Sequence, residues 1–145
     1  MRITRLFLVL GGGIILLMGF LHALYTFLDI SRPRRLVPQD PAMAASMEAS
    51  QLRLSRGGTT MWKAWVGFNF SHSVGVILFG VACIGTAYTL GLMAIPAWIL
   101  FCFVILAFVY LALSVIYWFR IPTLGLALAT ACIFIAWVTY AIIDV

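Results

Sequence analysis

Charged residues are scarce in this chain: Asp, Glu, Lys and Arg make up 9% of its 145 residues, and only four are acidic. A soluble domain carries about 25% charged residues, so the sequence excludes a soluble globular protein. The same scarcity excludes a disordered tail and a coiled coil, both of which need polar surfaces. Hydrophobic residues make up 65% of the chain and lie in continuous runs, which excludes the alternating strands of a transmembrane barrel. The composition predicts a single-domain, helical integral membrane protein.

Cysteine is also rare, and its three positions lie inside apolar stretches, at Cys83, Cys102 and Cys132. No pair has C-x-x-C spacing, so the sequence predicts neither a disulfide framework nor a zinc site. We interpret the cysteines as small packing residues, and we expect no bound metal.

The long apolar runs define four segments that are each long enough to cross a bilayer, since a span needs about 20 residues. They cover about 6–29, 61–90, 94–119 and 121–143. The last two connections are very short, which predicts an all-α, antiparallel four-helix bundle with both termini on one side of the membrane.

One stripe of small residues and three threonines predict how these segments pack. Gly67, Ser71 and Gly75 recur at a spacing of four, which favours close approach of a second helix. Threonines in the last segment are interpreted as hydrogen-bonding residues that satisfy their own helix or a neighbour. These are Thr123, Thr130 and Thr139.

The connection between the first two segments is the one substantial polar stretch. Asp40 and Pro41 are typical of a helix start, and the pair Gly57-Gly58 is typical of a helix stop. We therefore expect a short interfacial helix at about 41–56, with Met43, Met47 and Leu54 on one side of it.

The distribution of positive charge bears on partners and orientation. Nine basic residues give a net charge of +5, and most lie in or beside the long loop, which predicts contact with the anionic surface of a lipid bilayer rather than with nucleic acid. Seven basic residues fall on the long-loop side of the membrane and two, Arg2 and Arg5, on the other side. The positive-inside rule places the long loop in the cytoplasm, whereas the basic start of the first segment favours the reverse.

One face of the first segment carries polar residues at helical spacing: His22, Tyr25, Thr26 and Asp29. Asp29 lies at the membrane boundary, near the C-terminal end of its helix, where a carboxylate is electrostatically unfavourable. We expect an arginine partner such as Arg32 or Arg56 to offset that penalty.

The second segment carries a matching stripe, formed by Trp62, Trp65, Asn69, His72 and Ser73. Unpaired polar groups within a bilayer are costly, so both stripes are expected to face the bundle interior. The two histidines of the chain should then lie at similar depths. We expect a ligand or cofactor site between the first two segments that opens toward the long loop, built from His22, Tyr25, Thr26, Trp65, Asn69, His72 and Ser73.

The sequences GFLHALYT at 19–26 and TMWKAWVGFNFSHSVG at 60–75 resemble those of an uncharacterised family of small bacterial four-helix membrane proteins. The resemblance covers about half of the chain and implies a location in the bacterial cytoplasmic membrane. It implies no activity.

Three functions remain open from the sequence. The first is binding of a lipophilic ligand or cofactor, such as a quinone, a lipid or a haem held by two histidines; the cofactor itself is unknown. The second is a structural or accessory subunit of a homo-oligomer or a larger membrane complex. The third is a membrane enzyme that uses histidine acid–base chemistry on a lipophilic substrate, although no catalytic motif is present.

Overall fold

The computed structural model describes residues 1–144 and is all-helical, which confirms the predicted fold class. A 3₁₀ turn at Arg53–Ser55 and a π-helical turn at Tyr140–Asp144 accompany five α-helices. The helices are α1 (Arg2–Ser31), α2 (Pro41–Ala49), α3 (Met61–Thr89), α4 (Ala97–Tyr117) and α5 (Arg120–Thr139).

Four of these helices, α1, α3, α4 and α5 with its π-helical extension, are long and apolar enough to cross a membrane. Only 22% to 39% of each apolar window is buried within the protein. The remaining surface is apolar, and large side chains such as Trp98, Ile116 and Leu124 are well exposed. Exposed apolar area of this extent is typical of a surface that lipid or another protein covers.

The chain forms two compact units that share helices α1 and α3. The four-helix unit contains Met1–Met18 together with the chain from Val76 onward. The loop unit contains Gly19–Gly75, and therefore holds both predicted polar stripes and the long connection between them.

In the four-helix unit, glycines set how closely the helices approach. A Cβ added at Gly80 of α3 would lie 2.7 Å from the carbonyl oxygen of Gly12 in α1, and one at Gly11 would lie 2.9 Å from the side chain of Ile133 in α5. Backbone contact of this kind is the usual way in which membrane helices gain packing energy. The expected contact at Gly67 is wrong, because a Cβ added there would have no neighbour within 4 Å.

Hydroxyl groups supply the polar contacts of the four-helix unit, as the sequence predicted. Thr130 of α5 donates to the carbonyl oxygen of Ala107 in α4. Thr4 and Thr139 share a hydrogen bond of 3.0 Å between their hydroxyls, which places the start of α1 beside the end of α5. Those two helix ends therefore lie at the same end of this unit, as expected for a chain that crosses the membrane four times.

In the loop unit, α2 is shorter than the expected helix at 41–56. Asp40 caps its start by accepting from the N–H of Ala42 at 2.9 Å, as the sequence predicted. The helix ends at Ala49 because the next residue, Ser50, turns to an extended conformation. The carbonyl of Ser50 then accepts the N–H of Met61, the first residue of α3.

The chain between Ser50 and Met61 forms a small hairpin instead of a further helical turn. Gln51 pairs with Thr60 across it, and Gly57 takes a positive φ of 94° at its tip, a conformation that glycine adopts without strain. Leu54 lies in the 3₁₀ turn, outside α2, and is 99% exposed. The expectation that it shares a helix face with Met43 and Met47 is therefore wrong.

Candidate functional site

The centre of the site is a hydrogen bond between His22 of α1 and Asn69 of α3. The Nε2 atom of His22 lies 2.9 Å from Oδ1 of Asn69. Asn69 is 4% exposed, and its Nδ2 donates to the carbonyl oxygen of Trp65 one turn earlier, at 2.8 Å. Because that bond fixes which end of the amide is the nitrogen, Oδ1 is the acceptor and Nε2 of His22 carries the hydrogen.

His72 lies directly beside this pair. Its ring meets that of His22 edge to face, with 5.5 Å between centroids and 81° between planes. On its other side it stacks on Phe68, one turn earlier in α3, at 6.1 Å and 11°. Both imidazoles are half-buried. The structure therefore brings His22, Asn69 and His72 together.

The hydroxyls of Thr26 and Ser73 serve their own helices. Thr26 donates to the carbonyl oxygen of His22 at 2.9 Å, and Ser73 donates to that of Asn69 at 2.7 Å. Both residues are buried. Each hydroxyl thus donates to the backbone carbonyl of one member of the His22–Asn69 pair.

Tyr25 lies on the exposed side of α1 and partners the long loop instead of the histidines. The guanidinium carbon of Arg35 lies 5.2 Å from the centre of its ring, within the range of a cation–π contact. The contact described for Tyr25 is therefore with the long loop.

Asp29 is held by backbone groups, not by the arginine side chain that we expected. Its carboxylate accepts from the N–H groups of Arg34, Arg35 and Leu36, at distances from 2.6 to 3.2 Å. The residue is 3% exposed. Pro33 ends the helical path just after α1, and the chain folds back so that its next three amides converge on the carboxylate. Hydrogen bonds to an ionised acceptor are about twice as strong as neutral ones, which offsets the poor electrostatic position.

Leu36 connects this loop to α3 and was not singled out from the sequence. Its N–H donates to Asp29, and its carbonyl oxygen accepts the indole N–H of Trp65 at 3.0 Å. Since the carbonyl of Trp65 in turn accepts from Asn69, polar contacts run without a break from Asp29 to His22. Trp65, which the sequence predicted as part of the site, thus connects the long loop to the site. No sequence signal marks Leu36, because only its backbone takes part.

Two further findings limit the chemistry of the site. Among the side chains that the structure describes, no cluster of three or more His, Cys, Asp or Glu residues is suited to hold a metal ion. A haem with two histidine ligands requires its macrocycle between the imidazoles, whereas the rings of His22 and His72 contact each other. The arrangement suits recognition of a small polar group by hydrogen bonds.

Comparison with protein-family models, with curated proteins and with solved structures found no match. The His22–Asn69–His72 cluster and the contacts that fix it are therefore the features of this chain that bear on its function.

Proposed function

We propose that the protein binds the polar headgroup of a lipophilic molecule of the quinone type, at His22, Asn69 and His72. The observation that carries this proposal is the contact between two half-buried imidazoles on membrane-spanning helices, one of them oriented by a buried amide. On the sequence resemblance described above, we propose the bacterial cytoplasmic membrane as the bilayer.

The chemistry of a quinone suits these side chains. A quinone carbonyl is a hydrogen-bond acceptor, as is the Oδ1 atom of Asn69. It can therefore replace Oδ1 as the acceptor of the N–H at Nε2 of His22. Phe68, which is 64% exposed, stacks on His72 and provides an apolar surface beside the polar cluster. A flat, apolar ring with polar edges matches both features. A haem between the histidines is less well supported, because the rings would have to separate.

Quinone titration of the purified full chain tests the proposal. Decylubiquinone quenches indole fluorescence, and Trp65 belongs to the same contact network as the histidines. We expect saturable quenching in the wild type and at least about tenfold weaker binding in His72→Phe, which keeps an aromatic ring but removes the nitrogens. Ser71→Ala is the matched control, because Ser71 is exposed on the same helix and donates only to its own helix.

The outcomes separate the proposal from loss of folding. The melting temperature and helical content of each variant are measured first, and only folded variants are compared. Equal quinone affinity in the wild type, His72→Phe and His22→Phe would overturn the proposal, as would quenching that does not saturate.

A structural or accessory subunit is the second candidate, and one observation favours it. Within the described part of the chain, every buried side-chain nitrogen and oxygen has a hydrogen-bond partner. A cluster that satisfies itself can serve to align α1 and α3 without a ligand. In that case, His22→Ala and Asn69→Ala would lower stability and assembly into an oligomer or larger complex, and no quinone or lipid would bind saturably.

A further inference from the structure

We propose that a groove in the four-helix unit, distant in sequence from the histidine cluster, binds the headgroup of an anionic phospholipid. The groove lies between the start of α1 and the end of α3 and has a volume of about 330 Å³. It is lined by Arg2, Arg5, Leu6, Val9, Ala87 and Tyr88.

The position of Arg5 depends on a glycine. A Cβ added at Gly91, just after α3, would lie 2.9 Å from Nη1 and 3.1 Å from Cζ of Arg5. The guanidinium thus lies against the backbone at the end of α3, in space that any side chain at this position would take. Gly91 lets Arg5 reach across from α1, and both arginines line one groove as a result.

Among the residues that the structure describes, no acidic side chain lines the groove. In the described part of the chain, neither Arg2 nor Arg5 has a side-chain hydrogen bond or an ion pair. The acidic side chains that the structure describes, Asp29, Asp40 and Glu48, all belong to the loop unit. Two adjacent cations without an anion form an attractive site for a phosphate group, which guanidinium binds through two parallel hydrogen bonds.

The remaining lining identifies the anion as part of a lipid. Leu6 and Val9 continue the groove along α1, and they are 55% and 37% exposed. Tyr88 is also exposed and adds an aromatic ring with a hydroxyl, a side chain enriched at membrane–water interfaces. A phospholipid has the same order of groups, with a phosphate at the interface and acyl chains below it. A free phosphate ion would leave the apolar part of the groove uncovered.

Native mass spectrometry of the full chain, released from detergent after incubation with equal amounts of phosphatidylglycerol and phosphatidylcholine, tests this proposal. We expect the wild type to retain phosphatidylglycerol preferentially and excess inorganic phosphate not to displace it. Arg2→Gln and Arg5→Gln should each lower the preference about fivefold, since each basic residue near the surface contributes roughly that factor. The control is Arg53→Gln, which removes the same charge from an exposed residue of the loop unit.

A second variant keeps the positive charge of Arg5 and changes only the position of its guanidinium group. Gly91→Ala should lower the lipid preference by displacing the guanidinium of Arg5, with no change in net charge. The proposal is overturned if the wild type retains both lipids equally, if Arg53→Gln lowers the preference as much as Arg5→Gln, or if Arg5→Gln and Gly91→Ala both leave the preference unchanged. Displacement of the lipid by inorganic phosphate would likewise overturn it in favour of a simple anion site.

Discussion

The backbone N–H of Leu36 donates to the carboxylate of Asp29 at 2.6 Å, across the point where the chain leaves its first membrane-spanning helix. The carbonyl oxygen of the same residue accepts the indole N–H of Trp65. One residue of an otherwise polar loop is therefore bonded to both helices that carry the histidines. The path of the loop and the geometry of the cluster are therefore linked through the backbone of this residue.

Asp29→Leu should release the start of the long loop. The substitution leaves the N–H groups of Arg34, Arg35 and Leu36 without their acceptor, and hydrogen bonds to charged groups contribute about 1.5–3 kcal/mol each. We expect faster amide exchange at 34–36 and a lower free energy of unfolding. Asp29→Asn keeps one acceptor oxygen, so its exchange rates and stability should fall between those of the wild type and Asp29→Leu. Wild-type exchange rates at 34–36 in Asp29→Leu would contradict this account.

Trp65→Phe should destabilise the long loop while an aromatic ring still occupies the position of the indole. The change removes only the indole N–H that donates to Leu36, so we expect a loss of about 1 kcal/mol, the usual contribution of one hydrogen bond. Amide exchange should rise around Leu36 and remain unchanged in α2, which has its own cap at Asp40. A uniform rise over both segments would show that Trp65 stabilises the loop unit by packing instead.

Asn69→Leu should be the most costly change in the cluster. It removes the acceptor of His22 while the imidazole stays half-buried, and a polar group left unsatisfied costs about 1–3 kcal/mol. Since His22 and Asn69 bond to each other, the double variant His22→Ala/Asn69→Ala should cost less than the sum of the single variants. Chemical unfolding in detergent measures both quantities, with Ser71→Ala as the control that changes stability by less than about 0.5 kcal/mol. Strict additivity would exclude a direct interaction.

Gly80→Ala should destabilise the four-helix unit, whereas Gly85→Ala on the same helix should not. The new methyl at Gly80 would meet backbone atoms of Gly12 and Leu16 at 2.7 Å, and backbone cannot move aside as a flexible side chain does. Forced overpacking typically costs about 1–3 kcal/mol. At Gly85 nothing lies within 4 Å, so the higher helix propensity of alanine should add up to about 1 kcal/mol. A comparison of the two melting temperatures tests the assignment of this helix crossing.

The sequence predicted the four long helices well because each is an uninterrupted apolar run of the length that a membrane span requires. It also indicated that the histidines belong to one stripe on each helix, since a helical repeat follows directly from spacing. The proximity of His22 and His72 then followed from two antiparallel helices joined by one loop.

The sequence could not predict contacts that depend on where two helices cross. Gly67 and Gly80 look equally suited to close packing, and only the geometry of the crossing selects Gly80. The partner of Asp29 was also missed, because its donors are backbone groups that every residue but proline possesses. The end of α2 at Ala49 depends on the pairing of Gln51 with Thr60, a contact that helix propensity does not report.

Hydrogen bonds hold the long loop at two places. Leu36 bonds to Asp29 and Trp65 near its start, and Ser50 bonds to Met61 near its end. The segment from Val37 to Ala49 contains no buried residue and is closed at both ends by contacts outside itself. Loop closure costs grow only slowly with length, so extra residues here add little strain. The part of this segment that precedes the capped start of α2, at 37–39, is accordingly a place where the chain can accept an inserted epitope or a fused fluorescent domain while both helices of the histidine cluster keep their register.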